Sequence, residues 1–136
     1  MRTILLLAED ENTMNRWQGI FNIALDNHNI KAYLVNEFDF TEVDLKDVVT
    51  VVIVSVKTKL EYFARFFELS KKSKIPIVVS KNFAQQFESL RLLMDTGVSA
   101  IIDFDMSILG ISNVIDIVEK GGYYLNPIMM KEHNQQ

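Results

Sequence analysis

The chain contains no cysteine, which excludes disulfides and thiolate-held metal ions. Its two histidines, His28 and His133, stand far apart with no ligand-like spacing. No apolar run approaches the roughly 18 residues that a membrane-spanning helix needs. The N-terminus runs straight into an apolar segment, without the layered design of a signal peptide. The expectation is a cytoplasmic protein with no membrane contact. Positive charge is scarce as well, with 14 Lys and Arg against 18 Asp and Glu and a net charge of −4, so nothing invites a polyanion. The one basic cluster, Lys71-Lys72-Ser73-Lys74, is short and falls between expected elements, so it reads as a solvated loop rather than a nucleic-acid patch. No Gly-x-Gly follows the first apolar run, so the phosphate-cradling loop of nucleotide binders is missing; Glu9-Asp10-Glu11 stands there instead and repels anionic cofactors. No repeat, linker or low-complexity segment interrupts the chain.

What is present fits one compact domain with a sizeable core: 136 residues, 49% hydrophobic and 24% charged. The chain is organised around Val48-Val49-Thr50-Val51-Val52-Ile53-Val54-Ser55-Val56, an almost uninterrupted β-branched run. Such a run reads as a strand buried on both faces, as in the middle of a parallel sheet. Ile4 to Ala8 is a first strand, Lys31 to Val35 a second, Ile75 to Val79 a fourth, with Pro76 tolerable near its start, and Ala100 to Ile102 a fifth. Helical spacing predicts helices from about Met14 to Asp26, capped by Asn12 or Thr13; weakly from Thr41 to Lys46; from Lys59 to Ser70; from Ala84 to Asp95; and from Ser107, as cap, to Lys120. Trp17, Phe21 and Ala24 face the sheet in the first of these; Phe87, Leu90, Leu93 and Met94 face it in the fourth. The aromatic third helix presents Leu60, Phe63 and Phe67 on one stripe and Tyr62, Phe66 and Leu69 on another, mainly as core.

Strand and helix alternating five times argue an α/β fold: a flavodoxin-like (CheY-like) doubly wound, five-stranded parallel sheet of order 2-1-3-4-5, with helices on both faces. In such a sheet ligands bind outside the carboxyl ends of the strands. Glu9 and Asp10 after strand one, Ser55 after strand three, Ser80 after strand four and Phe104 after strand five are expected to converge there.

At these positions the chain resembles a receiver domain of two-component response regulators. Leu6-Leu7-Ala8-Glu9-Asp10 is similar to the first strand and acidic pair of that family. Val51-Val52-Ile53-Val54-Ser55-Val56 is similar to its third strand, with Ser55 where the family carries the phosphorylated aspartate. Val78-Val79-Ser80 is similar to the fourth strand with its switch hydroxyl. Gly97-Val98-Ser99-Ala100-Ile101-Ile102-Asp103-Phe104 is similar to the segment that ends in the family's lysine, with Phe104 at the lysine position. Val118-Glu119-Lys120-Gly121-Gly122-Tyr123-Tyr124-Leu125-Asn126-Pro127 resembles the fifth-helix exit of NarL/LuxR-type regulators, where it leads into a DNA-binding domain. The resemblance implies a receiver-like domain over 1–127, with 128–136 as a tail or the start of a linker, and DNA contact only through a domain absent from this chain.

The family's chemistry needs a carboxylate nucleophile, a magnesium ion held by it and the acidic pair, and a lysine that pairs with the phosphoryl oxygens. Serine without a general base is a poor nucleophile. A lysine left in such a pocket without its aspartate costs roughly 3–5 kcal/mol as an uncompensated charge. Replacing both partners together converts a phosphorylation site into packing. Glu9 and Asp10 read either as favourable charge at a helix start or as a weak magnesium site, with Lys57 or Lys81 as a neutralising partner. Ser80 reads as a switch hydroxyl that has become a helix cap. The expectation is an atypical, phosphorylation-independent receiver, not an enzyme and without a cofactor. It acts in signal transduction and transcriptional control through a protein partner or a homodimer. The candidate interface is the fifth helix: Ile108, Ile111, Val114, Ile115 and Val118. Two alternatives stand beside it: phosphorylation at an unrecognised aspartate, for which Asp47 lies at the wrong end of its strand, and a flavodoxin-like small-molecule binder.

Overall fold

The apolar runs marked as strands pair side by side in one parallel sheet of order β2-β1-β3-β4-β5. In the computed structural model, which describes residues 2–39, 44–54 and 60–126, these are β1 (Arg2–Ala8), β2 (His28–Leu34), β3 (Val48–Val54), β4 (Ile77–Ser80) and β5 (Val98–Ile102). This is the flavodoxin-like arrangement expected from the sequence. The register brings the carboxyl ends level: Ala8 lies opposite both Leu34 and Val54, and Ser80 lies opposite Ile102.

Successive strand side chains point to opposite faces, which explains why β1 and β3 are apolar at every position near their centres. Leu5, Leu7, Val51 and Ile53 enter a core beneath α2 (Ala64–Ser73), α3 (Lys81–Ala84) and α4 (Leu90–Asp95). Ile4, Leu6, Val52 and Val54 enter a second core beneath α1 (Glu11–Ala24) and α5 (Ile108–Glu119). The first core is built on aromatics. Phe63 and Phe83 meet edge to face at 5.3 Å between centroids, and Phe67 stacks on Phe63 at 6.0 Å. Phe66 and Phe67 are both buried, so the third predicted helix turns both stripes inward and leaves only Tyr62, on the preceding 3₁₀ turn Leu60–Phe63, about half exposed.

Several boundaries differ from expectation, each for a local reason. Helix α1 starts earlier because Asp10, not Asn12 or Thr13, is its cap; its carboxylate accepts the Thr13 N–H at 2.8 Å. The paired register of β1 runs to Ala8, leaving Glu9 alone to connect strand and cap. Of the weak helix at 41–46, residues 44–46 are not helical and the remainder lies outside the described residues. The basic cluster is not a loop. Lys71 to Ser73 form the last turn of α2, where cations complement the helix dipole, and Lys74 ends it in the left-handed conformation. Of the helix predicted over 84–95, only Leu90–Asp95 is helical beyond Ala84, which ends the short α3; residues 85–89 are turns and bends. Ser80 caps α3 immediately after β4, and Ser89 restarts the chain as α4 by accepting the Leu92 N–H at 3.2 Å. That break rotates Met94 outward, to 44% exposure, while Leu93 stays buried.

Helix α5 ends in a Schellman motif. Gly121, at φ +87°, donates to the Val118 carbonyl at 3.0 Å, and Gly122 donates to the Ile117 carbonyl at 2.9 Å. A β-carbon on Gly122 would sit 2.8 Å from Ile117 Cγ2, so the close turn needs glycine. The turn sends the chain back along the edge of β5. There Tyr124 donates to the Ser99 carbonyl at 2.8 Å and its own carbonyl accepts the Ile101 N–H at 3.0 Å.

Candidate functional site

The carboxyl ends of β3, β4 and β5 and the first turns of α1 open onto a cleft of about 180 Å³. Its walls include Thr13, Arg16 and Trp17 from α1, Val54 from β3, Ser80 to Asn82 after β4, and Ile102 to Phe104 after β5. Parallel strands ending level, each followed by a chain reversal, place these side chains together. Ser80 and Phe104 thus meet in one cleft, as the sequence predicts. Glu9 and Asp10 lie at the same edge of the sheet but are not on the wall of the cleft among the described residues. Ser55, one residue beyond Val54, lies outside the described residues, as does Lys57.

Asp10 is committed to the start of α1. The Thr13 backbone and side chain hold its carboxyl below its ordinary value, against a smaller opposing push from partial desolvation and the neighbouring Glu9. Ser80 is likewise a cap: it is 8% exposed, and its hydroxyl accepts the Phe83 N–H at 3.4 Å, a long bond. Both groups therefore serve helix starts, the local role foreseen for each.

Phe104 does not fill the cleft as buried packing. It is 40% exposed, and its ring makes a T-shaped contact with Trp17, at 5.6 Å between centroids and 90° between planes. The guanidinium carbon of Arg16 sits 3.7 Å from the ring centroid. Sequence reading missed Arg16. The available signal was its place beside Trp17, one turn into a helix that begins at the cleft. The residue expected to replace a cation with packing has instead acquired a cation on its outer face.

A magnesium ion, which the family resemblance implies, requires several hard oxygen ligands in near-octahedral order. The donors here do not fit it. One oxygen of Asp10 is engaged by Thr13, and no group of three or more His, Asp or Glu side chains among the described residues is arranged to hold a metal. Asp47, the other carboxylate considered, precedes β3 at the amino end of the sheet, about 20 Å of strand away from the cleft.

The interface expectation for α5 needs correction. Ile111, Val114, Ile115 and Val118 are at most 2% exposed and pack against the sheet and α1. They are core because α5 lies over β3 and β5 beside α1, and its apolar side is used there. Ile108 is exposed, and Leu109, outside the expected interface, is exposed at 71%. No helix among the described residues is long and apolar enough to cross a membrane.

No protein-family model matches the sequence, and no curated protein matches it. Solved structures do. The chain is similar to a pilus assembly protein (CpaE) from Burkholderia thailandensis, with a TM-score of 0.65 and 15% identity over 89% of this chain and 99% of that one. It is similar to a LuxR family DNA-binding response regulator from Silicibacter pomeroyi, with a TM-score of 0.65 and 7% identity over 95% and 99%. It is also similar to the isolated receiver domain of RcsB from Salmonella enterica serovar Typhimurium, with a TM-score of 0.64 and 9% identity over 97% of each chain. At these identities the likeness establishes the fold, which is that of response regulator receiver domains.

Proposed function

We propose that this chain is an atypical receiver domain of NarL/LuxR type that transmits a signal without being phosphorylated and catalyses no reaction of its own. The observation that carries this reading is Phe104. Its ring meets Trp17 at a right angle at the place after β5 where receivers carry a lysine, so the family's lysine is missing from that position. The cations on the cleft wall are Arg16, stacked on the Phe104 ring, and Lys81, which follows β4. The sequence supports it at a second place, because Ser55 follows Val54 where the acylating carboxylate is needed, and a hydroxyl without a general base is a weak nucleophile. His28 is no candidate base, since it begins β2 at the opposite end of the sheet. Asp10 is engaged as a helix cap, and Asp47 lies at the far end of the sheet. Asp103 is the carboxylate on the cleft wall, one residue before Phe104 and not on β3, where the acylating group is needed.

Output then rests on contacts. In this reading the domain works in the cytoplasm, pairs with a protein partner or a second copy of itself, and reaches DNA only through a domain outside this chain. The exit Gly121-Gly122-Tyr123-Tyr124 and its likeness to NarL/LuxR regulators favour transcriptional control; a solved structure shows two RcsB dimers on two parallel DNAs. The fold by itself does not decide this, since a pilus assembly protein shares it. Titration with magnesium and beryllofluoride, followed by amide chemical shifts, tests the reading. Unchanged shifts at Glu9, Ser80 and Phe104 support it; saturable shifts clustered at those residues reject it.

A further inference from the structure

Phe104, Trp17 and Arg16 form a three-layer contact that the loss of a lysine does not by itself require. Trp17 is 5% exposed and is held from below by Phe21 at 5.9 Å between centroids. The Phe104 ring stands on it at a right angle, and the Arg16 guanidinium covers the ring from outside. Arg16 and Trp17 belong to α1; Phe104 belongs to the loop that joins β5 to α5. Among the described residues Arg16 makes no ion pair, although Asp103 and Asp105 flank Phe104 in the chain. The loop is internally braced: Met106 donates to the Asp103 carbonyl at 3.0 Å, Asp103 donates to the Met106 sulfur at 3.4 Å, and Ser107 caps α5 through the Gly110 N–H at 2.9 Å. What fixes Phe104 to α1 therefore also positions the start of α5 as a unit.

We infer that the Arg16–Phe104–Trp17 stack is a latch between α1 and the β5–α5 loop, and that it sets the position of the α5 start whatever the cleft contains. The guanidinium is suited to this: it is planar, always charged, and stacks on a ring face while its donors remain in water. The functional role assigned to the latch rests on the phosphorylation-independent reading above, while the latch itself stands on geometry alone. Its consequence is that α1 is the element through which the start of α5, with the exposed Ile108 and Leu109, is set.

The test uses the full chain, in which Trp17 is the single tryptophan. Phe104→Ala is expected to shift Trp17 emission to longer wavelength and to speed hydrogen exchange at the Met106 and Gly110 amides about tenfold. Arg16→Gln is expected to speed the same amides about threefold, and Arg16→Lys, which keeps a cation over the ring, to restore most of the protection. Phe104→Leu preserves bulk without a π face and separates ring chemistry from cavity formation; it is expected to behave as Arg16→Gln. Exchange within twofold of wild type at both amides in Phe104→Ala and Arg16→Gln overturns the latch. So does acceleration spread evenly over β1 to β5, which signals lost global stability. Failure of the latch and failure of the phosphorylation reading are separable. A phosphorylated chain with these exchange results rejects only the second; an unmodified chain without them rejects only the first.

Discussion

At the amino end of the sheet, far from the cleft, a nearly buried polar pair joins the first residue of β2 to the last of α5, and its removal is a demanding test of how the two ends of the chain are held. His28 Nε2 lies 2.9 Å from Oε1 and 3.2 Å from Oε2 of Glu119, with the two side chains 7% and 10% exposed. The Glu119 carboxylate sits at the carbonyl end of α5, where the helix dipole opposes negative charge. Arg2 Nη1 approaches it at 3.8 Å but is 55% exposed, so solvent screens its help. A hydrogen bond to a charged group contributes about 1.5–3 kcal/mol, and stranding a buried charge costs up to about 3–5 kcal/mol. Residual exposure and Arg2 moderate the second figure, so His28→Ala is expected to destabilise by about 2–3 kcal/mol. Glu119→Gln keeps an acceptor and removes the charge from the helix end; a loss of about 1 kcal/mol follows. Urea unfolding monitored by Trp17 emission reads the difference: with a slope near 2 kcal/mol/M, His28→Ala moves the midpoint by roughly 1 M. The double variant His28→Ala with Glu119→Gln is expected to fall short of the sum by about 1 kcal/mol. Additivity within about 0.5 kcal/mol refutes the argument that the two groups satisfy each other.

Three further outcomes follow from the fold. Phe63→Ala empties the centre of the aromatic core, where Phe63 is fully buried between Phe67 and Phe83, and costs about 3–5 kcal/mol in the same urea assay; a loss below about 1 kcal/mol contradicts that packing. Gly122→Ala forces a β-carbon to within 3.0 Å of the Ile117 carbonyl, costs about 1–3 kcal/mol and releases the Tyr124 pairing; hydrogen exchange at the Ile101 amide reads it, and retained protection there counts against the turn as described. The Asp10 carboxyl, held below its ordinary 3.8 by Thr13, adds stability that is fully present above that value and is lost as the pH falls through its lower folded value. Wild type minus Asp10→Asn stability, followed by thermal melts, is thus expected to be flat from neutrality down to about pH 4 and to shrink below it. A difference unchanged down to about pH 2 removes the cap from the account.

The sheet was legible because a parallel strand buried on both faces has an almost uninterrupted apolar sequence, as β1, β3 and β5 have. Helix limits were less so. Asp10, Asn12 and Thr13 are all good caps, and only the register of β1 against β3 selects the first. The split between α3 and α4 turns on Ser89, whose capping role competes with a helical stripe running through Phe87, Leu90 and Leu93. The α5 stripe looked like surplus apolar area; its use as core depends on how far α5 overlaps the sheet, which no local pattern records. In the cleft, the converging strand ends followed from topology alone. The place of Arg16 did not, because a cation that selects an aromatic face over nearby carboxylates leaves no spacing signature. The His28–Glu119 pair joins residues 91 apart in sequence and was invisible for the same reason.

The proposed function turns on a strand-end pocket that accepts no phosphoryl group. Intact-mass measurement after incubation with acetyl phosphate and magnesium tests it most directly. One species at the unmodified mass is expected, with Ser55→Asp paired with Phe104→Lys as the variant that supplies both acceptor and cation. An adduct of one phosphoryl group on the wild-type chain, mapped to Ser55 or to any aspartate, contradicts it.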